Sequence, residues 1–213
     1  MAGGLGFNYN QFLLVGMFVN TLFMMTTIGI TSLVEDKSEY FTQEMFVSPV
    51  SRYSIALGKI IGASVGAIIQ LAGLFTMALI MGITITFVQF ISLLAIAPLM
   101  CLVAGSLGML IVAFIKDNRM GSIITMAITF PQMFLSGVLI QINNSSGILH
   151  VLSRIMPMTY CLDLTRAVFY RGTLEYSSIV LFNPVINLAI ISLLTIVFLI
   201  IGTYFFASAE TNR

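Results

Sequence analysis

The chain has 213 residues, of which 59% are hydrophobic and 8% charged, and its net charge is +1. An ordinary soluble domain carries roughly 25% charged residues, so this composition excludes a water-soluble fold, which could not hide that much apolar surface. The near-zero net charge supplies no field that would draw nucleic acid, and nucleic acid is set aside as a partner.

No Asp, Glu, Lys or Arg occurs in residues 1–34, 60–115, 120–153 or 176–209. A helix needs about 20 apolar residues to cross the hydrocarbon core. The first, third and fourth of these runs therefore hold one crossing each, and the second is long enough for two. The expected fold is all-α, a polytopic membrane helical bundle of about five transmembrane helices plus short interfacial helices, forming a single transmembrane domain over residues 1–213. A membrane barrel would alternate apolar and polar residues in segments of about 10, and these runs are apolar on every side.

The first span is expected at residues 12–34. No positive n-region or small-residue cleavage site precedes it, so it reads as retained rather than as a removable signal. The connection 35–53 is too long for a turn. Its Tyr40, Phe41, Met45 and Phe46 fall near one another at helical spacing with acids on other faces, which predicts a short amphipathic helix at the membrane surface. Pro49 breaks that helix before Arg52 leads into the second span, 54–81.

Gly58, Gly62 and Gly66 recur every four residues at the start of that span, a pattern that allows close approach of another helix in the bundle or in a dimer. Gly, Thr and Gln at 82–89 predict a hairpin turn, followed by a third span at 90–115. The tight polar turn Lys116-Asp117-Asn118-Arg119 leads to a fourth at 120–140. The second long connection, 141–179, opens on a turn at Asn143-Asn144-Ser145-Ser146-Gly147. An apolar helix follows at 148–156, Pro157 ends it, and a second short helix is expected at 159–170. In that helix Asp163 and Arg166 are three apart and can pair on one face. The fifth span is expected at 180–206.

Five spans put the termini on opposite sides. Lys37, Arg52, Lys59, Lys116, Arg119 and Arg213 fall on one side, and Arg154, Arg166 and Arg171 on the other. The positive-inside rule assigns the larger group to the cytoplasm and the N-terminus to the outside, an arrangement that suggests a first helix absent ahead of residue 12.

The chemistry of the spans is sparse. No ionisable residue sits at mid-membrane, where ion-coupled carriers keep their relays. Gly58-Lys59 lacks the preceding Gly and the following Ser or Thr of a phosphate-cradling loop, so any ATP must bind a partner. His150 is the lone histidine and reads as an interfacial side chain. Cys101 and Cys161 have neither metal-ligand spacing nor a disulfide framework. Catalytic residues, cofactors and metal ligands are accordingly not expected. The 14 methionines, Met17, Met24, Met25, Met77, Met81 and Met133 among them, read as adaptable packing or lipid-facing side chains.

Two ordered sets of residues resemble a known family. The first runs from Gly29-Ile30-Thr31-Ser32-Leu33-Val34-Glu35-Asp36 through Glu44-Met45-Phe46-Val47-Ser48-Pro49-Val50-Ser51-Arg52 to Leu57-Gly58-Lys59. The second runs from Pro131-Gln132-Met133-Phe134-Leu135-Ser136-Gly137 to Met156-Pro157-Met158-Thr159-Tyr160 and Asp163-Leu164-Thr165-Arg166. Together they look like the type-2 ABC-transporter permeases, the membrane subunits of ATP-driven exporters, over most of the chain.

The resemblance implies a permease without ATPase activity of its own, working with an ABC ATPase subunit and a second permease subunit, as homo- or heterodimer, in a cell membrane of prokaryotic plasma-membrane type. It implies a coupling segment carrying Glu39, Glu44, Pro49 and Arg52, and an outer gate that includes Gly137, Pro157, Tyr160, Asp163 and Arg166. It also implies that the family's first span is the one lacking here. Glu39-Tyr40-Phe41 departs from the Gly-Thr turn common in relatives. The rival readings are an ion- or proton-independent carrier or channel, and a truncated, non-transporting membrane scaffold. The cargo is not legible.

Overall fold

A computed structural model describes residues 8–38, 52–115, 118–142 and 147–211 of the chain. The expected surface helix after the first span, with Glu39, Glu44 and Pro49, lies outside the described residues, as do Lys116, Asp117 and Asn143 to Ser146. The elements are α1 (Tyr9–Ser38), α2 (Arg52–Ile80), α3 (Phe87–Phe114), α4 (Asn118–Leu135), α5 (Ile148–Ile155), α6 (Pro157–Phe169), α7 (Tyr176–Ile179) and α8 (Pro184–Thr211). No strand occurs among the described residues.

Among the described residues, four helices are long and apolar enough to cross a membrane, over Tyr9–Thr31, Ser54–Ile80, Phe87–Phe114 and Pro184–Phe205. The expected span at 120–140 is shorter than predicted. Its helix stops at Leu135, and its apolar stretch covers only Ile123–Leu135. The cause is local, because Gly137 takes φ +87°, a left-handed conformation that ends the helix and turns the chain back towards α1. The last span begins at Pro184 rather than 180. There Asn183 accepts the Val185 N–H at 2.9 Å, and Pro184 fills the first helical position, where an N–H would be orphaned anyway.

α3 is the centre of the bundle and packs against α1, α2, α6 and α8. Its buried residues run almost without interruption from Met100 to Met109 and include Cys101, Ala104, Gly105, Ser106 and Gly108. Small side chains there admit large neighbours. Cβ atoms built on Gly105 and Gly108 would meet Ile60 and Ile30 within 3.0 Å, and one on Gly202 of α8 would lie 2.8 Å from the Leu110 backbone nitrogen. Lipid supplies no hydrophobic drive between helices, so this close backbone approach is a principal source of cohesion.

Gly58, Gly62 and Gly66 behave otherwise: an added Cβ at any of them would meet nothing within 4 Å. Of the two expected settings, the bundle or a dimer, the glycines are not packed within this chain's described residues: α2 turns Ala56, Ile60, Ala67, Leu71 and Ala78 inward and leaves the three glycines on its open face.

The helix ends are tied by amides at the end of the bundle where α1 begins. Gln11 donates to the carbonyl of Thr84 at 2.8 Å, fastening α1 to the α2–α3 turn at the expected hairpin position. Gln89 accepts the N–H of Thr86 at 2.9 Å and donates to the carbonyl of Phe169 at 3.3 Å, joining the start of α3 to the end of α6.

Replacing Gly202 by Leu must push α8 off the α3 backbone. We expect a loss of about 1–3 kcal/mol of stability, read as a lower thermal midpoint and less monodisperse protein in detergent. Gly62→Ala should leave both measures unchanged.

Candidate functional site

Part of the second long connection, the helix α6, is buried in the bundle. α6 is wedged into the end of the bundle against α1, α3 and α8, and most of its residues are buried, Thr159, Asp163, Thr165 and Arg166 included. Pro157 supplies its first residue, so the proline that ends α5 also begins α6 with a φ already suited to a helix. Thr159 donates its hydroxyl to the Ser153 carbonyl at 2.5 Å and Tyr160 donates to the Arg154 carbonyl at 2.7 Å, which sets the corner between α5 and α6.

Asp163 and Arg166, each 1% exposed, form the polar centre. They do not hydrogen-bond to one another as their spacing suggested. The Asp163 carboxylate accepts the backbone N–H groups of Leu181 and Phe182 at 2.7 and 2.9 Å and the Asn187 side-chain amide at 2.7 Å. It thereby fixes the segment entering α8 as well as the first turn of α8 itself. Arg166 points elsewhere, donating to the Gly137 carbonyl at 2.8 Å and lying 3.8 Å from the centre of the Phe12 ring. One α6 turn therefore ties three elements together: the start of α8 through Asp163, and the α4 terminus and α1 through Arg166.

Burial raises the Asp163 carboxyl above its ordinary range, opposed by the Leu181, Asn187 and Phe182 donors and by the nearby guanidinium. Burial likewise lowers Arg166 to about 10, opposed by the negative charge of Asp163. The guanidinium stays charged at neutral pH, and the ring face of Phe12 and one carbonyl replace its lost water. Among the described residues its Nε has no hydrogen-bond partner, and neither does the buried Tyr170 hydroxyl.

Of the expected outer-gate residues, Gly137, Asp163 and Arg166 come together around this centre. Pro157 and Tyr160 sit at the α5–α6 corner, where the Tyr160 ring stacks on Phe182 at 5.7 Å. Glu39, Glu44 and Pro49 lie outside the described residues; Arg52 is the first residue of α2, with its side chain also outside them.

Sequence reasoning missed Phe12, Asn187 and Gly16. Asn187 carried a usable signal, an amide within an otherwise apolar run just after Asn183-Pro184. Gly16 carried none, yet a Cβ there would lie 2.5 Å from the Val138 carbonyl oxygen, so only glycine lets the α4 terminus rest on α1.

This architecture, an apolar bundle closed at one end by a buried polar wedge, accompanies a match to the ABC-2 type transporter family model over residues 2–170. The chain belongs to the ABC-2 type transporter family. It is a multi-pass membrane protein and an ABC-transporter permease component. No individual curated protein matches it. The matched region of this ABC-2 permease ends at Tyr170, so it takes in Gly137, Asp163 and Arg166 but not Leu181, Phe182 and Asn187, the partners of Asp163.

Removing Asp163 leaves the Leu181, Phe182 and Asn187 donors unmet, removing Arg166 leaves the Gly137 carbonyl unmet, and either change leaves the remaining buried charge without the opposite charge near it. Asp163→Ala and Arg166→Met should each cost about 3–5 kcal/mol in unfolding experiments. The double variant should cost less than the sum of the two, because the groups share one field.

Proposed function

We propose that the chain is the membrane-spanning permease subunit of an ABC exporter, which moves a substrate across a cell membrane with ATP hydrolysed by a separate subunit. The observation that carries this reading is the buried Asp163 and Arg166 centre, combined with membership of the ABC-2 family. It joins α1, α6, α8 and the α4 terminus, so that a displacement begun at the opposite ends of these helices reaches the far side of the membrane as a movement of one body.

In this reading the α6 end faces outward and α4 is the fifth crossing. Gly137, Pro157, Tyr160, Asp163 and Arg166 belong to the outer gate. Residues 35–53 form the cytoplasmic coupling segment, with Glu39, Glu44, Pro49 and Arg52 at the contact with the ATPase. Closure of two soluble ATPase subunits can rock the bundles only through a stiff contact of this kind. A second permease subunit completes the path, and the open glycine face of α2 supports a helix partner outside this chain. A prokaryotic plasma membrane is the setting proposed.

The test is co-purification from membranes with an ABC ATPase encoded beside the chain, followed by ATP hydrolysis with and without it. A stable complex with altered hydrolysis supports the proposal. A correctly inserted chain that never associates refutes it and favours a carrier or a non-transporting scaffold. Within the complex, Glu44→Lys should reduce recovery of the ATPase while insertion stays normal, because reversing a rim charge mainly disturbs docking.

A further inference from the structure

α5 and α6 are adjacent in sequence and differ in every physical respect. α6 is buried, whereas α5 rests against only α4 and α6 among the described residues and buries a single residue, Ser153. Residues in a helix turn by about 100° each, so Ile148, Val151, Leu152 and Ile155 form one stripe, with Ser153 on the opposite side. The stripe faces away from the protein: these four residues are 81, 57, 37 and 63% exposed. A helix that buries only Ser153 and turns its apolar stripe outward is not covered by its own chain among the described residues.

We infer that α5 is a lipid anchor, laying this stripe into the acyl region of one leaflet with Arg154 at the level of the lipid phosphates. Three observations favour lipid over a protein partner. α4, against which α5 rests, itself exposes the large apolar side chains Phe130 and Phe134, and Ile140 just beyond it is exposed too. Four side chains on a two-turn helix fall well short of the roughly 1,200–2,000 Å² that a stable protein interface buries. The charge is one-sided as well, since α5 carries Arg154 in its last turn, no acidic residue, and His150 one turn earlier. Arg154 is steadied over the Phe182 ring, 4.9 Å from its centre, and remains exposed.

An interfacial helix of this type sinks about 5–10 Å into the boundary between headgroups and acyl chains. Only Met156 separates α5 from α6, so the anchor ties the leaflet directly to the helix that carries Asp163 and Arg166. The inference does not depend on the direction of transport or on the ATPase.

The experiment is a nitroxide at Val151→Cys, and separately at Ile155→Cys, in the full chain reconstituted into vesicles of phosphatidylethanolamine and phosphatidylglycerol. Cys101 and Cys161 are buried, so labelling goes to the introduced thiol. Relaxation enhancement by oxygen, which concentrates in lipid, is compared with that by a water-soluble nickel chelate. Enhancement by oxygen well above that by nickel at both sites is the expected result. Dominant enhancement by nickel, meaning water, overturns the inference, and so does weak enhancement by both, meaning a covering protein surface such as a second copy.

Discussion

The Asp163 carboxylate sets the terms for the end of the bundle where α6 lies. A carboxylate withdrawn from water must be met by donors, and the chain supplies three, two from the backbone entering α8 and one from Asn187. Those donors are available only if α8 starts beside the middle of α6. The requirement therefore locates the last membrane helix relative to the connection before it. Arg166 imposes the complementary demand, and the Gly137 carbonyl with the Phe12 ring meets it on the other side of α6. Apolar packing alone would let these helices slide in lipid; two buried charges with directional partners do not.

Packing can satisfy those demands because small residues stand where helices must nearly touch. Gly16 receives the Val138 backbone, Gly202 receives α3, and Gly105 and Gly108 receive Ile60 and Ile30. The left-handed turn at Gly137 then ends α4 at the height where its carbonyl can accept from Arg166. Packing, turn and charge are three parts of one geometry, and a change at Gly16 reaches Arg166 through the α4 terminus.

The sequence made the helical class and most of the layout legible, because a membrane span is announced by its composition and a missing charge is as informative as a present one. The order of motifs also put Gly137, Asp163 and Arg166 in one set with Pro157 and Tyr160; the first three meet around one centre, whereas Pro157 and Tyr160 sit at the α5–α6 corner. The partners of Asp163 and Arg166 were harder to read. A charge on a helix finds its partner by three-dimensional proximity, so the i, i+3 spacing suggested a pair, whereas each residue bonds to a different element. The glycine series on α2 faces away from the rest of this chain, while the glycines that pack within it stand in no repeating pattern. The length of α4 was misjudged for a related reason: the apolar run continues past Leu135, and only the backbone conformation of Gly137 reveals that the helix does not.

The functional account treats α6 and the start of α8 as one body held by Asp163, able to carry a movement across the membrane without coming apart. Amide hydrogen exchange at Leu181 and Phe182 in the reconstituted protein addresses that claim most directly. The account predicts slow exchange at both amides in the native chain, and much faster exchange there in Asp163→Asn with the protection of α3 retained. Equal exchange at Leu181 and Phe182 in the two proteins would contradict it.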